Sequence, residues 1–172
     1  MVIKMNYQLE MNYHKDVTEN IQCFTLSIGA NNKEEFKWII DNLVDFRAES
    51  VNYYYKILKR VLLETNTHLY VINGTRSEMK YYDFNKISIA NEDLSFFNNY
   101  NNHVFCFLKN GDEALQSCIV KDTFIEMYNK GYSFFKLRDY YAEGNSITFY
   151  SKNQELYAQL EKIAKINGFH LL

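Results

Sequence analysis

The sequence predicts an α+β fold: antiparallel sheet built from hairpins, with three to four amphipathic helices packed on one face. Three observations lead there. Ile3, Met5, Tyr7, Leu9, Met11 and Tyr13 alternate with Lys4, Asn6, Gln8, Glu10 and Asn12, which is the period of a half-buried strand. Separate blocks further on carry apolar residues at helical spacing. Strand-like runs adjoin one another across Gly and Asn turns, with helices between groups and not after every strand, which disfavours a doubly wound parallel sheet.

The elements follow in order. After a polar connection from His14 to Asn20, Phe24, Leu26 and Ile28 alternate with Cys23, Thr25 and Ser27, so a second strand pairs antiparallel with the first and Gly29 closes the unit. Asn31 or Asn32 caps a helix whose apolar stripe is Phe36, Ile39, Ile40 and Leu43, with Glu34 and Glu35 near its positive end. A second stripe, Val51, Tyr54, Tyr55, Leu58, Val61 and Leu62, follows a polar stretch from Arg47 to Ser50. That stretch is either a break capped by Ser50 or a bend in one long helix, and two helices are preferred. Leu69 to Ile72 reads as a short buried strand ending at Asn73-Gly74. From Thr75 to Asn102 the pattern weakens: Met79, Tyr81 and Tyr82 suggest a strand, and Asp93 to Tyr100 a short helix.

Val104 to Leu108 and Ala114 to Val120 flank Asn110-Gly111, a dipeptide that tolerates positive φ at both turn positions and so predicts a hairpin. Asp122 or Thr123 then caps a short helix that Gly131 ends. Tyr132 to Tyr140 and Ile147 to Tyr150 form a further hairpin turning at Glu143-Gly144-Asn145. Ser151-Lys152-Asn153-Gln154 has the form of a capping box, followed by Leu156, Leu160, Ile163 and Ala164 on one helix face and a stop at Asn167-Gly168. Phe169 to Leu172 returns as an edge strand.

At 172 residues with 47% apolar content the chain suits a single domain, 1–172, with a β-β-α-α half at 1–74 and a second half at 75–172. No fixed-period repeat and no Pro/Gly/Ser linker divides it. A formal net charge of -2 excludes both a histone-like basic binder and a strongly acidic DNA mimic. The absence of an apolar run of membrane-spanning length, and of an apolar core at the N-terminus, leads to the expectation of a cytoplasmic protein with no membrane partner. Fifteen Tyr, 13 Phe, many Asn and Lys and no Pro are residues with A/T-rich codons, as in a low-G+C bacterium, a phage or a mobile element.

Chemical fingerprints are scarce. The glycines are too sparse for a phosphate-cradling loop, and Gly-x-Ser-x-Gly and His-Glu-x-x-His do not occur. Cys23, Cys106 and Cys118 have no paired spacing, so no disulfide framework, zinc knuckle, metal or other cofactor is expected. His103 and Cys106 alternate to opposite faces of a strand, and His14, His68 and His170 stand apart, so a Cys-His nucleophile pair requires tertiary proximity. Glu78-Met79-Lys80 has the Glu-x-Lys form used by one class of metal-dependent nucleases, but no Asp between Phe46 and Arg76 completes it, and a solvated charged strand is the strongly favoured explanation.

Two surface features remain. Lys56, Lys59 and Arg60, with Asn52 one turn before, form a basic helix face suited to phosphates, though such a face is also the ordinary outside of an amphipathic helix. Tyr53-Tyr54-Tyr55 surrounds a helix, so at least one ring leaves the core, and Tyr81, Tyr82 and Tyr100 raise the same issue near the Asn-rich run 98–102. Tyrosine gives rigid contact area with a polar tip and is enriched at interfaces, although A/T-rich coding also fills surfaces with it.

The expectation is a small partner-occluding inhibitor or immunity-type protein that contacts a protein or ribonucleoprotein through Tyr53, Tyr54, Tyr81, Tyr82 and Tyr100. Self-association into a homo-oligomer would also cover such a surface. The alternatives are a nucleic-acid-binding regulator acting through Asn52, Lys56, Lys59 and Arg60, and an enzyme with dispersed residues, for which His103, Cys106, Glu113 and Asp122 are candidates.

Overall fold

Alternation at the N-terminus produces the first two strands of one sheet. A computed structural model describes residues 6–16, 20–73, 83–87, 104–109, 128–140 and 144–172, together with Ile125. Strands β1 (Gln8–Lys15) and β2 (Gln22–Gly29) form an antiparallel hairpin in which Leu9, Met11 and Tyr13 lie opposite Ile28, Leu26 and Phe24. Two helices follow, α1 (Lys33–Asp41) and α2 (Leu43–Thr65). Then come β3 (His68–Asn73), β4 (Asp83–Ile87), β5 (Val104–Leu108), β6 (Ser133–Tyr140), β7 (Gly144–Tyr150), α3 (Gln154–Ile166) and β8 (His170–Leu171).

The eight strands make one sheet in the order β4-β3-β5-β6-β7-β2-β1-β8, so strands from 1–74 and 75–172 share it. The fold is α+β, but the sheet is mixed: β8 runs parallel to β1, pairing Glu10 with His170 and Met11 with Leu171. A strictly antiparallel sheet is therefore a wrong expectation, because the chain returns to this edge through α3 and not through a hairpin. The described residues hold three such helices, the lower end of the expected number.

One face of the sheet carries the core. Met11, Phe24, Leu26, Ile28, Phe105, Phe107, Phe135, Leu137, Ile147 and Phe149 join Ile39 of α1, six residues of α2 including Phe46, Tyr54 and Leu58, and the inner side of α3 in a single buried cluster. Each fully buried large apolar side chain there contributes roughly 1.5–3 kcal/mol through removal from water. The rings are continuous across strands: Phe105 stacks on Phe135 at 4.9 Å and 7°, and Phe135 tilts against Phe149 at 5.4 Å.

Helix boundaries depart from the periodic pattern. Asn32 caps α1, its side chain accepting from the Glu35 N–H at 2.9 Å, as one of the two expected caps. The break between the first two helices falls at Asn42 and not at Arg47 to Ser50. Ser50 is buried inside α2, where its hydroxyl donates to the Phe46 carbonyl at 2.8 Å, so it bonds back along the helix and caps nothing. At α3 the cap is Asn153, which accepts from Glu155 N–H at 3.0 Å. Ser151 instead accepts from Asn153 N–H and bonds Ser133 Oγ at 2.6 Å, so the expected capping box is displaced by two residues.

The hairpin expected across Asn110-Gly111 has no edge to pair on. Both sides of β5 are taken, Phe105 lying opposite Val71 of β3 and opposite Phe135 of β6. Residues 110–124, including Asp122 and Thr123, lie outside the described ones, as do Met79, Tyr81, Tyr82 and 93–102. The β6-β7 hairpin is present, with Tyr140 opposite Gly144.

Gly168 ends α3 at φ +92, with its N–H on Lys165 O at 3.1 Å and the Phe169 N–H on Ala164 O at 3.0 Å. This is the paired C-terminal motif that favours glycine, and it aims buried Phe169 into the core before β8 starts. A Cβ here would meet only Leu9 Cδ1 at an ordinary 3.4 Å, so the cost of substitution is in the backbone. Gly168→Ala is expected to lose about 1–2 kcal/mol of unfolding free energy, read by urea denaturation, and an unchanged midpoint would contradict the assignment.

Candidate functional site

The outer stripe of α2 is set by helical spacing and is charged along its length. Asp45, Glu49, Asn52, Lys56, Lys59 and Arg60 are all exposed, with acids toward the N-terminus and bases toward the C-terminus. Asp45 in the first turn suits the helix dipole, whereas the last turn holds Glu64 and no base, so the stripe is bipolar and not uniformly positive. Arg60 Nε pairs with Glu64 Oε1 at 2.9 Å, and the Lys59 ammonium sits 5.8 Å from the Tyr55 ring centre. Two of the three expected phosphate-contacting cations, Lys59 and Arg60, are thus already engaged within the helix.

The tyrosine triplet divides by burial. Tyr54 is 2% exposed and its hydroxyl donates to Asn145 O at 2.7 Å, tying α2 to β7. Its expected place on a partner-contacting surface is corrected: it is a core anchor. Tyr55 is buried as well, and Tyr53 is half-buried, edge-on to Phe169 at 6.3 Å. Tyr81, Tyr82 and Tyr100 lie outside the described residues, as do His103, Glu113 and Asp122.

The apolar stripe of α1 is only partly used by the core. Periodicity assigns Phe36, Ile39, Ile40 and Leu43 to the interior, yet Ile39 alone is fully buried and Leu43 is partly so. Phe36 and Ile40, one turn apart, are 38% and 45% exposed, and Val44 just past the joint is 79% exposed. The helix meets the core through Ile39, with Trp38 and Leu43 partly buried against it, which leaves the Phe36 and Ile40 flank in solvent.

The opposite face of the sheet collects polar side chains in rows. His14, Cys23, Tyr150, Phe134 and Cys106 occupy one row across β1, β2, β7, β6 and β5, and Asn12, Thr25, Thr148 and Lys136 the next. Cys23, Thr148, Tyr150 and Cys106 are buried. Thr25 Oγ1 lies 2.7 Å from His14 Nε2 and 2.9 Å from Thr148 Oγ1, and Cys23 Sγ lies 3.4 Å from His14 Nε2 and 3.6 Å from Nδ1. From the middle of the row the Tyr150 hydroxyl donates to the buried Asp16 carboxylate, which sits where β1 turns toward β2. Tyr150 stacks on Phe134 at 5.1 Å and 13°.

His14 was expected in the connection; β1 in fact extends through Lys15, which places His14 directly opposite Cys23. The register of the hairpin is the signal that finds this pair. Among the described residues no three His, Cys, Asp or Glu side chains gather in a way that could hold a metal ion, and no helix is long and apolar enough to cross a membrane. Comparison with known protein families, with curated proteins and with solved structures finds no match to this chain.

Proposed function

We propose that the protein binds a protein or ribonucleoprotein partner and occludes it, as a small cytoplasmic inhibitor or immunity-type protein of a low-G+C bacterium, phage or mobile element; an anti-defence or anti-CRISPR-like inhibitor is one example. The observation supporting this reading is the uncovered stripe of Phe36, Ile40 and Val44. A helix that keeps an apolar flank in water forgoes stabilisation that a partner would supply, since each such side chain is worth roughly 1.5–3 kcal/mol when fully buried. Tyr53, half-buried in the middle of α2, stays in the proposed contact set, as do Tyr81, Tyr82 and Tyr100.

The test is a tagged pull-down from a nuclease-treated lysate of a low-G+C bacterium, with Phe36→Ser/Ile40→Ser/Val44→Ser beside the unaltered protein. A stoichiometric protein partner is expected, with recovery falling at least about tenfold in the variant while its melting temperature holds. Equal recovery by both proteins overturns the site. Recovery of nuclease-sensitive material alone overturns the whole reading and favours Asn52, Lys56, Lys59 and Arg60 as a nucleic-acid face.

A further inference from the structure

The thiol of Cys23 has an imidazole beside it and a hydroxyl chain behind that imidazole. If His14 Nε2–H donates to Thr25 Oγ1, 2.7 Å away, the Thr25 hydroxyl is free to donate to Thr148 Oγ1 at 2.9 Å. Cys23 Sγ lies nearly equidistant from the two ring nitrogens, 3.4 Å from Nε2 and 3.6 Å from Nδ1, and in this tautomer Nδ1 is the one able to accept the thiol proton. A base held in one tautomer by a third group, with its other nitrogen on a thiol, is the arrangement that activates a cysteine. His14 is only half-buried, so its proton can exchange with water, while Cys23 itself is 1% exposed.

We propose that Cys23 and His14 form a peroxide-reactive pair. The thiol proton passes to His14 Nδ1, and Sγ attacks one oxygen of hydrogen peroxide, forming the S–O bond as the O–O bond breaks. The departing hydroxide takes the proton back from the imidazolium and leaves as water. Cys23 is oxidised to the sulfenic acid and the peroxide is reduced, so no other reductant or oxidant enters the step. The near-complete burial of the thiol sets the selectivity: a water-sized, uncharged oxidant reaches it, and larger disulfides and charged electrophiles do not. The inference is independent of the partner-binding reading, because the pair lies on the face of the sheet away from α1.

Cys106 provides an internal standard. It lies on the same row three strands away, is 0% exposed, and donates to the Phe107 carbonyl at 3.9 Å. The experiment treats the full chain with substoichiometric hydrogen peroxide for timed intervals, quenches it with catalase, adds denaturant containing dimedone so that the trap reaches the buried sulfenic acid, and maps the adducts by peptide mass spectrometry. Cys23 is expected to be trapped about a hundredfold faster than Cys106, and His14→Gln to bring it down to the Cys106 rate. Thr25→Val, which removes the group orienting the imidazole, should slow Cys23 while leaving Cys106 unchanged. Equal trapping of the two cysteines in the unaltered protein overturns the proposal, and that comparison needs no substitution to fold. An unchanged Cys23 rate in a folded His14→Gln protein overturns it as well.

Discussion

Phe135→Ala is expected to lose about 3–5 kcal/mol of unfolding free energy, a large share of the roughly 5–15 kcal/mol that holds a domain together. The ring is 0% exposed on β6, in the middle of the sheet, and three others touch it: Phe105 at 4.9 Å, Phe149 at 5.4 Å and Phe107 at 5.5 Å. Truncation removes its transfer free energy and opens a cavity between strands that are hydrogen-bonded on both sides and cannot close over it. The near-parallel stack on Phe105 adds about 0.5–1.5 kcal/mol beyond area, so a Phe105/Phe135 double-mutant cycle should show coupling of that size. Phe135→Leu, which nearly conserves volume, should cost about 1.5 kcal/mol or less. Urea midpoints at constant slope measure all of these. A Phe135→Ala protein within about 1 kcal/mol of the original would mean that this row of rings is not the centre of the core.

That row was legible in part. Alternation in β1 and β2 is read directly because a strand that buries one face must repeat every two residues, and Met11, Phe24, Leu26 and Ile28 fall where the pattern puts them. Helix ends at Asn32 and Gly168 are legible because their chemistry is local: a side-chain acceptor for an orphan N–H, and a positive φ. Strand order is not local. That β7 lies between β6 and β2, and that β5 has β3 and β6 on its two edges, is decided by which hydrophobic faces merge into one sheet, and no turn dipeptide reports it. Asn110-Gly111 signals a turn without saying whether β5 has an edge to spare.

The candidate sites were hidden for related reasons. Helical spacing puts Tyr54 on the apolar stripe, but the carbonyl of β7 some ninety residues on that receives its hydroxyl and fixes it as a core anchor is contained in no helical wheel. Phe36 and Ile40 satisfy helical spacing and still stay in water, since spacing states which side chains share a flank and not whether anything covers it. His14 and Cys23 are separated by a single turn in sequence. Ending the first strand at Tyr13 removes His14 from the ladder, whereas two more residues of pairing bring its ring to the thiol.

Alkaline pH should unfold the protein steeply, through tyrosines that the fold keeps neutral. Burial raises Tyr54 well above its ordinary 10.0. Burial likewise raises Tyr7, with the Glu49 carboxylate adding to the effect, and Tyr157, where the Ser151 N–H bond opposes it only partly. Tyr13, more exposed, is pushed up to about 12 by burial and by its bond to Glu161. Each folded pKa lies above the unfolded one, so the stabilisation is complete below pH 10 and is lost as pH rises past it, where the unfolded chain ionises and the folded chain does not. Tyr54 contributes about 1.4 kcal/mol between pH 9 and pH 11, and Tyr7 and Tyr157, which are less deeply buried, add smaller amounts. Denaturant midpoints at pH 9 and pH 11 measure the loss, and lysine titration contributes equally to a Tyr54→Phe protein, which isolates the tyrosine share. In that variant the fall between the two pH values should shrink by about 1.4 kcal/mol. A fall identical in both proteins, or absorbance at 295 nm showing all 15 tyrosines ionising together near 10 with the fold intact, would rule out the burial of these hydroxyls as the cause.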